Sequence, residues 1–231
     1  MTRVRKNPEV RRSEILDTAW VMFLEKGYDA TSVQEIIDSI GVAKGTFYHY
    51  FPSKEALLDA LVERSTHENL LRAQKTVRDD NLDAIDKLNR LFADASHWKI
   101  HNAAMVHEIV YVLYKEDNVR LRIRINSKNN ELIAPIIAGV FKQGTEEGVF
   151  DVEEPLETAE ILLMLSAQIK ERNIATLLSD EATDTIVERM AKRFNRYSRT
   201  VERIIGAPAG CIEIQGKRLF ESLAEAKSAR G

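Results

Sequence analysis

The chain has 231 residues, of which 44% are hydrophobic and 30% charged, and its formal net charge is −3. These values are ordinary for a soluble globular protein and argue against a protein that coats nucleic acid over its whole surface. The longest apolar run, residues 161–165, is far too short to span a bilayer. The single cysteine, Cys211, excludes a disulfide within the chain and argues against a cysteine-based zinc site. No signal peptide is visible, and we expect a cytoplasmic protein.

Positive charge is concentrated at the N-terminus. Residues 1–12 carry five basic side chains and one acidic one, a local charge of +4, whereas residues 1–55 as a whole are neutral. A basic arm on a mildly acidic body suits local contact with a polyanion. The charge alone fits equally well with a solvated N-terminal arm that has no partner.

Three helices are predicted within the first 50 residues. Residues 9–26 carry an apolar stripe and end at Gly27. The second helix begins at Ser32, which has capping-box spacing to Glu35, and it ends at Gly41. The third spans residues 44–50 and is stopped by Pro52. The short turn between the last two gives helix-turn-helix spacing.

The rest of the chain is predicted to be helical, because long stretches lack the breakers glycine and proline. Pro135 should kink one of these helices, and residues 149–152 form a short extended link. The predicted helices after the one that begins at Lys54 cover residues 82–95, 98–114, 119–147, 156–178, 185–205 and 217–227. The sequence therefore predicts an all-α protein.

Residues 15–58, ILDTAWVMFLEKGYDATSVQEIIDSIGVAKGTFYHYFPSKEALL, closely resemble the DNA-binding head of the TetR family of bacterial repressors. Residues 143–163 resemble the family's lead-in to its dimerisation helices, though less distinctively. The resemblance implies an N-terminal three-helix helix-turn-helix DNA-binding domain and a C-terminal helical ligand-binding and dimerisation domain. We place these domains at residues 1–55 and 56–206, followed by a C-terminal extension at 207–231 with a short amphipathic helix.

Residues 44–50 are the predicted recognition helix. Thr46, Tyr48 and His49 can donate hydrogen bonds to phosphates or base edges, and Gly45 permits close approach to the groove. Without the motif, Tyr48 and Tyr50 would be taken as half-buried core aromatics. By resemblance, the DNA-binding residues are Thr31, Gln34, Ala43, Lys44, Gly45, Thr46, Tyr48, His49 and Lys54, with Lys54 as the phosphate-contacting lysine. The family often has Ser or Thr at the position of Ala43, so a cap or phosphate contact is lost there.

One recognition helix reads only a few base pairs, so two are required at one helical turn of DNA, roughly 34–36 Å apart. This predicts a homodimer on a palindromic operator. The predicted interface is the helix from Leu156 to Leu178 together with the stripe from Ile186 to Ile205, which would form a four-helix bundle across the axis. Packing of these stripes within the chain is the alternative.

The family resemblance implies a pocket for a small-molecule effector, and we expect no cofactor. The candidate ligand-binding residues mix apolar bulk with polar groups, although each could instead be a core residue. They are Trp98, His101, Met105, Tyr111, Tyr114, Phe141 and Met164. His97, His101 and Glu108 have spacing that could hold a metal, but no clear fourth ligand follows, and we expect no metal site.

The sequence thus predicts a ligand-responsive transcriptional regulator, most simply a repressor, with double-stranded operator DNA and a small molecule as partners and no membrane contact. Two alternatives remain open. An enzyme is not indicated, because no nucleophile elbow, phosphate-binding loop or dinucleotide fingerprint is found. A helical adaptor that binds protein through its apolar C-terminal segment would show no salt-dependent DNA binding.

Overall fold

The computed structural model describes residues 7–101, 103–214 and 216–228, and within these ranges it contains helices, turns and loops but no strand. A single 3-10 turn covers Glu116–Asn118. The α-helices are α1 (Pro8–Lys26), α2 (Val33–Ile40), α3 (Lys44–Tyr50), α4 (Lys54–Val77), α5 (Ala84–His101), α6 (Ala103–Leu113), α7 (Val119–Glu146), α8 (Pro155–Leu177), α9 (Thr183–Ile204) and α10 (Lys217–Ser228).

The predicted helices match this architecture with one notable difference. We expected a break between residues 95 and 98, but α5 continues to His101. The segment Ala95-Ser96-His97 contains neither glycine nor proline, so nothing in it interrupts the helical hydrogen bonds. Pro135 lies inside α7, as predicted.

The helices fall into two compact units. The first contains residues up to 66 together with residues 111–129, and the second contains residues 67–110 and 130 onward. The domain boundaries that we placed at residues 55 and 206 stay a prediction.

The first unit is built on one core, which we call the head core. Its fully buried side chains come mainly from α1, α2, α3 and α4 and include Phe23, Ile36, Phe47 and Leu57, each 0% exposed, and Leu121 of α7 adds another. Each of these helices is amphipathic, and burying its apolar stripe provides most of the stabilisation that short helices need. This core fixes the position of the seven-residue helix α3.

The second unit contains two clusters of buried residues. The central core is formed around Phe141, Phe150, Tyr197 and Val201. A terminal core is formed by Leu177 with α9 residues and with side chains of α10, namely Ile186, Val187, Met190, Leu219, Phe220, Leu223 and Ala224. The C-terminal extension therefore packs on helices of its own chain. None of the described helices is both long enough and apolar enough to cross a membrane.

The apolar stripe of α9 has a different role from the one predicted. Ile186, Met190, Tyr197 and Val201 are all nearly inaccessible within the single chain. They pack in the central and terminal cores, and α10 covers part of them. Of the predicted stripe, Ile204 is the residue that stays exposed, at 39%. Packing within the chain, the alternative for this stripe, accounts for most of it.

Candidate nucleic-acid interface

Helix α2 starts at the predicted capping box. The Ser32 hydroxyl accepts a hydrogen bond from the Glu35 backbone N–H at 3.1 Å, and the Glu35 carboxylate accepts one from the Ser32 N–H at 2.7 Å. The carboxylate also accepts a hydrogen bond from Lys26 at 3.1 Å. These hydrogen bonds, first of all the one from the Ser32 N–H, lower the pKa of Glu35 to about 2. The start of α2 is thereby fixed to the end of α1.

The turn between α2 and α3 depends on Gly41. Its backbone is left-handed, with φ 65° and ψ 39°, a conformation that glycine adopts without steric cost. The Gly41 N–H donates to the Asp38 carbonyl at 3.2 Å and the Val42 N–H to the Ile37 carbonyl at 3.0 Å, which closes α2. Ala43 then caps α3 in an extended conformation without a side-chain hydrogen bond, as its sequence predicted.

Two phenylalanines anchor α3 in the head core. Phe47 is 0% exposed and Phe51, just past the helix, is 2% exposed, with their ring centroids 5.9 Å apart. The opposite side of the helix carries Lys44, Gly45 and His49, all exposed, and Tyr48, which is 46% exposed. Helical periodicity places these four on one side, because they are separated by one, three, four or five residues. Helix α3 thus presents a polar face on an apolar anchor.

Gly45 has no packing role within the chain. A Cβ atom added there would meet nothing within 4 Å. The ring of Tyr48 packs against Phe47 in a T-shaped arrangement, with centroids 5.3 Å apart, and the residue stays 46% exposed. A helix surface with a missing side chain beside hydrogen-bond donors can lie close against a groove of DNA.

Three other predicted DNA-binding residues surround this face. Gln34 and Ala43 are exposed, and Thr46 is partly buried. The Gln34 amide donates to the Asp38 carboxylate at 2.8 Å, which uses one of the two N–H groups of the amide.

The prediction for Thr31 is wrong. Thr31 is 0% exposed, and its hydroxyl donates to the Gly27 carbonyl at 2.8 Å and to the Met22 carbonyl at 3.3 Å. Both acceptors lie at the end of α1, where helix carbonyls lack internal partners. Thr31 therefore closes α1 inside the head core and does not face solvent.

Lys54 is also engaged within the chain. Its ammonium donates to the Tyr28 carbonyl and lies 4.1 Å from the centroid of the Tyr28 ring. Burial lowers the pKa of Lys54. A phosphate contact by Lys54 stays a prediction and would require this ammonium to leave or share Tyr28.

Part of the predicted basic arm is described. Arg11 forms an ion pair with Glu14 at 2.7 Å, and the Arg12 guanidinium lies 5.3 Å from the Phe51 ring centroid. The Arg12 contact places an exposed cation beside the end of α3. The sequence analysis did not predict it, because no local pattern links Arg12 to Phe51, which lies 39 residues later in the chain. Arg3, Arg5 and Lys6 lie outside the described residues.

The predicted ligand-binding residues are not brought together as one set. Phe141 is 1% exposed and forms a T-shaped contact with Phe150, with centroids 6.2 Å apart, in the central core, so its contact with a ligand stays a prediction. Tyr111 and Tyr114 belong to the first unit, where Lys115 and Arg122 lie over their rings.

Met164 and His101 belong to the second unit. Met164 is 57% exposed on α8, and exposed His101 stacks on His97 with centroids 6.5 Å apart. The side chains of Trp98, Met105 and Glu108 lie outside what the structure describes. Among the described side chains, no group of three His, Cys, Asp or Glu residues is arranged to hold a metal ion.

Two clefts flank the exposed side of α9. One of about 620 Å³ is lined by Ser198, Arg199 and residues of the segment that follows α9, and the other, of about 550 Å³, lies between α9 and Lys217 of α10. Neither cleft contains a predicted ligand-binding residue.

Comparison with known proteins adds to this geometry. The family model for "Bacterial regulatory proteins, tetR family" matches residues 15–61, and the model for "Tetracyclin repressor-like, C-terminal domain" matches residues 120–186. The first match covers α2, α3 and the turn between them.

Curated relatives extend the likeness along the chain. The chain is 32% identical over 154 residues to the HTH-type transcriptional repressor KstR2 of Mycobacterium tuberculosis, a match that covers 65% of this chain and 74% of the relative. It is 25% identical over 185 residues to the fatty acid metabolism regulator protein of Bacillus subtilis, covering 78% and 91%.

Solved structures share the fold. The structure of RolR in complex with resorcinol superposes with a TM-score of 0.53 at 16% identity and covers 93% of this chain and 94% of that one. Together with the exposed polar face of α3, these matches identify the protein: it belongs to the TetR family and is a ligand-responsive, DNA-binding transcriptional regulator.

Proposed function

We propose that this regulator is a repressor that binds a palindromic operator as a two-fold dimer and leaves it when a small organic molecule binds. The observation that carries the proposal is the polar face of α3, formed by Lys44, Gly45, Tyr48 and His49 and anchored from behind by Phe47. Tyr48 is 46% exposed and Gly45 has no side chain, so the two add little buried surface to the head core. Such a face is suited to the major groove.

The DNA contacts divide into two kinds. Lys44, Tyr48 and His49 would face base edges or the nearest phosphates. Gln34 and Ala43 would meet the flanking backbone through an amide and a main-chain N–H. Thr46 is partly buried and would contribute at the margin, and Lys54 would contribute after exchanging its Tyr28 partner.

The dimer would form through the exposed apolar face of α8. Ile161, Met164 and Leu165 are 48%, 57% and 40% exposed and lie at i, i+3 and i+4, on one face of the helix. Ile204 of α9 adds a further exposed apolar side chain. Apolar residues grouped in this way are typical of subunit contacts. Pairing α8 and α9 with their copies gives a four-helix bundle.

Release from DNA would follow from unequal affinity of the effector for two conformations. The Bacillus subtilis relative is named for fatty acid metabolism, and the RolR structure holds resorcinol. These names support a small carbon-rich molecule as the effector class. The proposal of repression, as opposed to activation, is supported by the Mycobacterium tuberculosis relative, which is named a repressor.

Fluorescence anisotropy of a labelled duplex from upstream of the protein's own gene tests the proposal. Binding should be specific against a scrambled duplex, and its affinity should fall steeply between 50 and 200 mM salt, by about a thousandfold or more for 6–10 phosphate contacts. Lys44→Ala should reduce the salt slope by about one. Lys142→Ala, which removes an exposed lysine paired with Glu146 on α7, is the matched control and should leave the slope unchanged. Equal binding of the scrambled duplex would reject the proposal.

A further inference from the structure

The cleft of about 620 Å³ lies within the second unit, between α9 and the segment that follows it, residues 207–214. Its volume is in the range of small-molecule sites, roughly 300–1,000 Å³. One wall is a single face of α9, because the residues that form it lie at i, i+3, i+4, i+7 and i+8 of the helix. They are Asn195, Ser198, Arg199, Glu202 and Arg203. The other wall is the segment itself.

The segment is held in place by side chains on both sides of it. From α9, the Glu202 carboxylate accepts hydrogen bonds from the main-chain N–H groups of Gly210 at 2.9 Å and Ile212 at 3.0 Å. From α5, the Asn89 amide donates to the Cys211 carbonyl at 2.8 Å and accepts from the main-chain N–H two residues later, also at 2.8 Å. Residues 210–213 are thus all bound through their main chain. The cleft is preorganised, which lowers the entropic cost of binding a ligand.

Glu202 is a buried carboxylate that still offers an acceptor to the cleft. The residue is 4% exposed, and both of its hydrogen bonds end on Oε1. Its other oxygen, Oε2, accepts no hydrogen bond from any residue that the structure describes, yet it is not one of the atoms sealed inside the protein. Since Glu202 lines the cleft, this oxygen is open to it. A carboxylate oxygen in such surroundings favours a partner that donates N–H or O–H.

The cleft also carries two guanidinium groups. Arg199 and Arg203 lie one helical turn apart on the face of α9 that forms the wall, and both are exposed. Neither guanidinium forms an ion pair or a hydrogen bond with a residue in the described ranges. Glu213 lines the cleft from the opposite wall, is exposed, and forms no ion pair there either. The described lining therefore holds two positive and two negative side chains.

The equal number of opposite charges determines which ligand fits. A ligand that carries one kind of charge meets like charges in this cleft, whereas a molecule with one positive and one negative group has a partner for each. Guanidinium groups match the geometry of carboxylate and phosphate, and carboxylates accept hydrogen bonds from ammonium. The segment wall otherwise carries small or apolar residues, which suit a short hydrocarbon linker. They are Ala207, Ala209, Gly210, Ile212 and Ile214.

We propose that this cleft binds a small zwitterion, a molecule that carries a primary ammonium group together with a carboxylate or a phosphate. The two arginines hold the anionic group. The ammonium group donates to Glu202 Oε2, with the Glu213 carboxylate nearby. The proposal goes beyond operator binding and does not rest on it, because every residue named belongs to the second unit.

Matched small molecules test the cleft in saturation-transfer NMR titrations of the full chain. γ-Aminobutyrate carries both charged groups, butyrate lacks the ammonium group and butylamine lacks the carboxylate. We expect γ-aminobutyrate to bind about tenfold or more tightly than either analogue, because each analogue loses charge-assisted hydrogen bonds. O-Phosphoethanolamine should exceed ethyl phosphate in the same way. The zwitterion that binds more tightly assigns the anionic group as carboxylate or phosphate.

Substitution of the arginines tests their role. The Arg199→Gln, Arg203→Gln double variant changes exposed side chains and should melt as the wild type does. Its affinity for γ-aminobutyrate should fall about tenfold or more, because the charge-assisted hydrogen bonds to the anion are lost. Arg196→Gln is the matched control, since Arg196 is an exposed arginine of the same helix that does not line the cleft. Its affinity should stay within about twofold, because an exposed charge without contact contributes little.

Substitution of Glu202 tests the other end of the ligand. Glu202→Gln retains an oxygen that can accept from Gly210 and Ile212 but replaces Oε2 with an NH₂ group, which donates. The advantage of γ-aminobutyrate over butyrate should therefore narrow, while butyrate itself should bind no more weakly than before. Thermal melting shows whether this variant folds. If it does not, the arginine double variant decides alone.

Several results would overturn the proposal. Equal affinity of the wild type for γ-aminobutyrate and butyrate would mean that the free carboxylate oxygen takes no ligand. Unchanged affinity in the arginine double variant would remove both arginines from the site. An equal loss in Arg196→Gln would mean that anions are attracted only by the net charge of α9. Absence of binding by both zwitterions would reject the cleft as their site.

Discussion

Replacement of Gly45 by alanine separates stability from DNA binding. A Cβ at this position meets nothing within 4 Å, so the methyl group creates no clash in the free protein. Alanine is favoured over glycine in a helix by about 0.5–1 kcal/mol, because glycine loses more backbone freedom on folding. For a chain of this size, 1 kcal/mol corresponds to about 2–4 °C in melting temperature. Gly45→Ala should therefore melt slightly higher than the wild type.

Operator affinity should change in the opposite direction. A methyl group at the closest point of approach pushes α3 away from the groove and weakens at least one hydrogen bond, about 1–3 kcal/mol, which is roughly a five- to 150-fold increase in Kd. Thermal melting and fluorescence anisotropy on the same preparation measure both effects. Gly41→Ala is the control: at φ 65° the added Cβ is strained, and melting should fall. A Gly45→Ala protein that melts higher and binds the operator with full affinity would refute the close approach of α3.

Three further predictions follow from the geometry. Tyr48→Phe keeps the ring contact with Phe47 and removes the hydroxyl, so operator affinity should fall in an anisotropy titration with melting unchanged; unaltered affinity would remove Tyr48 from the site. Glu35 has a pKa lowered from 4.5 to about 2, so its contribution to stability is present above pH 4.5 and is lost as pH falls through 2. Glu35→Gln should melt below the wild type at pH 6, and the gap should close toward pH 2; a constant gap would contradict this. Phe220→Ala removes a ring that is 3% exposed and should lower the free energy of unfolding by about 3–5 kcal/mol in urea titrations; a loss under 1 kcal/mol would mean that α10 does not cover the terminal core.

Much of the head could be predicted because its signals are local. Three signals each act within a few residues: the cap at Ser32, the left-handed glycine at Gly41 and the stop at Pro52. In the structure, α2 begins after Ser32 and ends before Gly41, and α3 ends at Tyr50, just before Pro52. The polar face of α3 could also be predicted, because Phe47 and Phe51 lie one helical turn apart and fix which side of the helix is buried. Local propensity and tertiary packing agree in this segment, and sequence patterns are most informative where they do.

Contacts between distant segments could not be predicted in the same way. Periodicity shows that α9 has an apolar face, but it does not show whether that face meets a partner chain or α10, 30 residues later. The side-chain environments of Thr31 and Lys54 depend on where the end of α1 lies relative to α4, which no short pattern encodes. Their hydroxyl and ammonium groups satisfy carbonyls of the head itself.

The search for ligand-binding residues had a further weakness. It favoured aromatic residues and methionine, which are common in cores as well as in pockets, and it selected Phe141, a core residue.

Hydroxyl-radical footprinting on the upstream duplex is the most direct test of the central claim, that α3 enters the major groove in two copies held by a dimer. We expect two protected segments related by two-fold symmetry, centred one helical turn or about 34–36 Å apart, and loss of both in Tyr48→Ala. A single protected segment, or protection that persists unchanged in Tyr48→Ala, would contradict it.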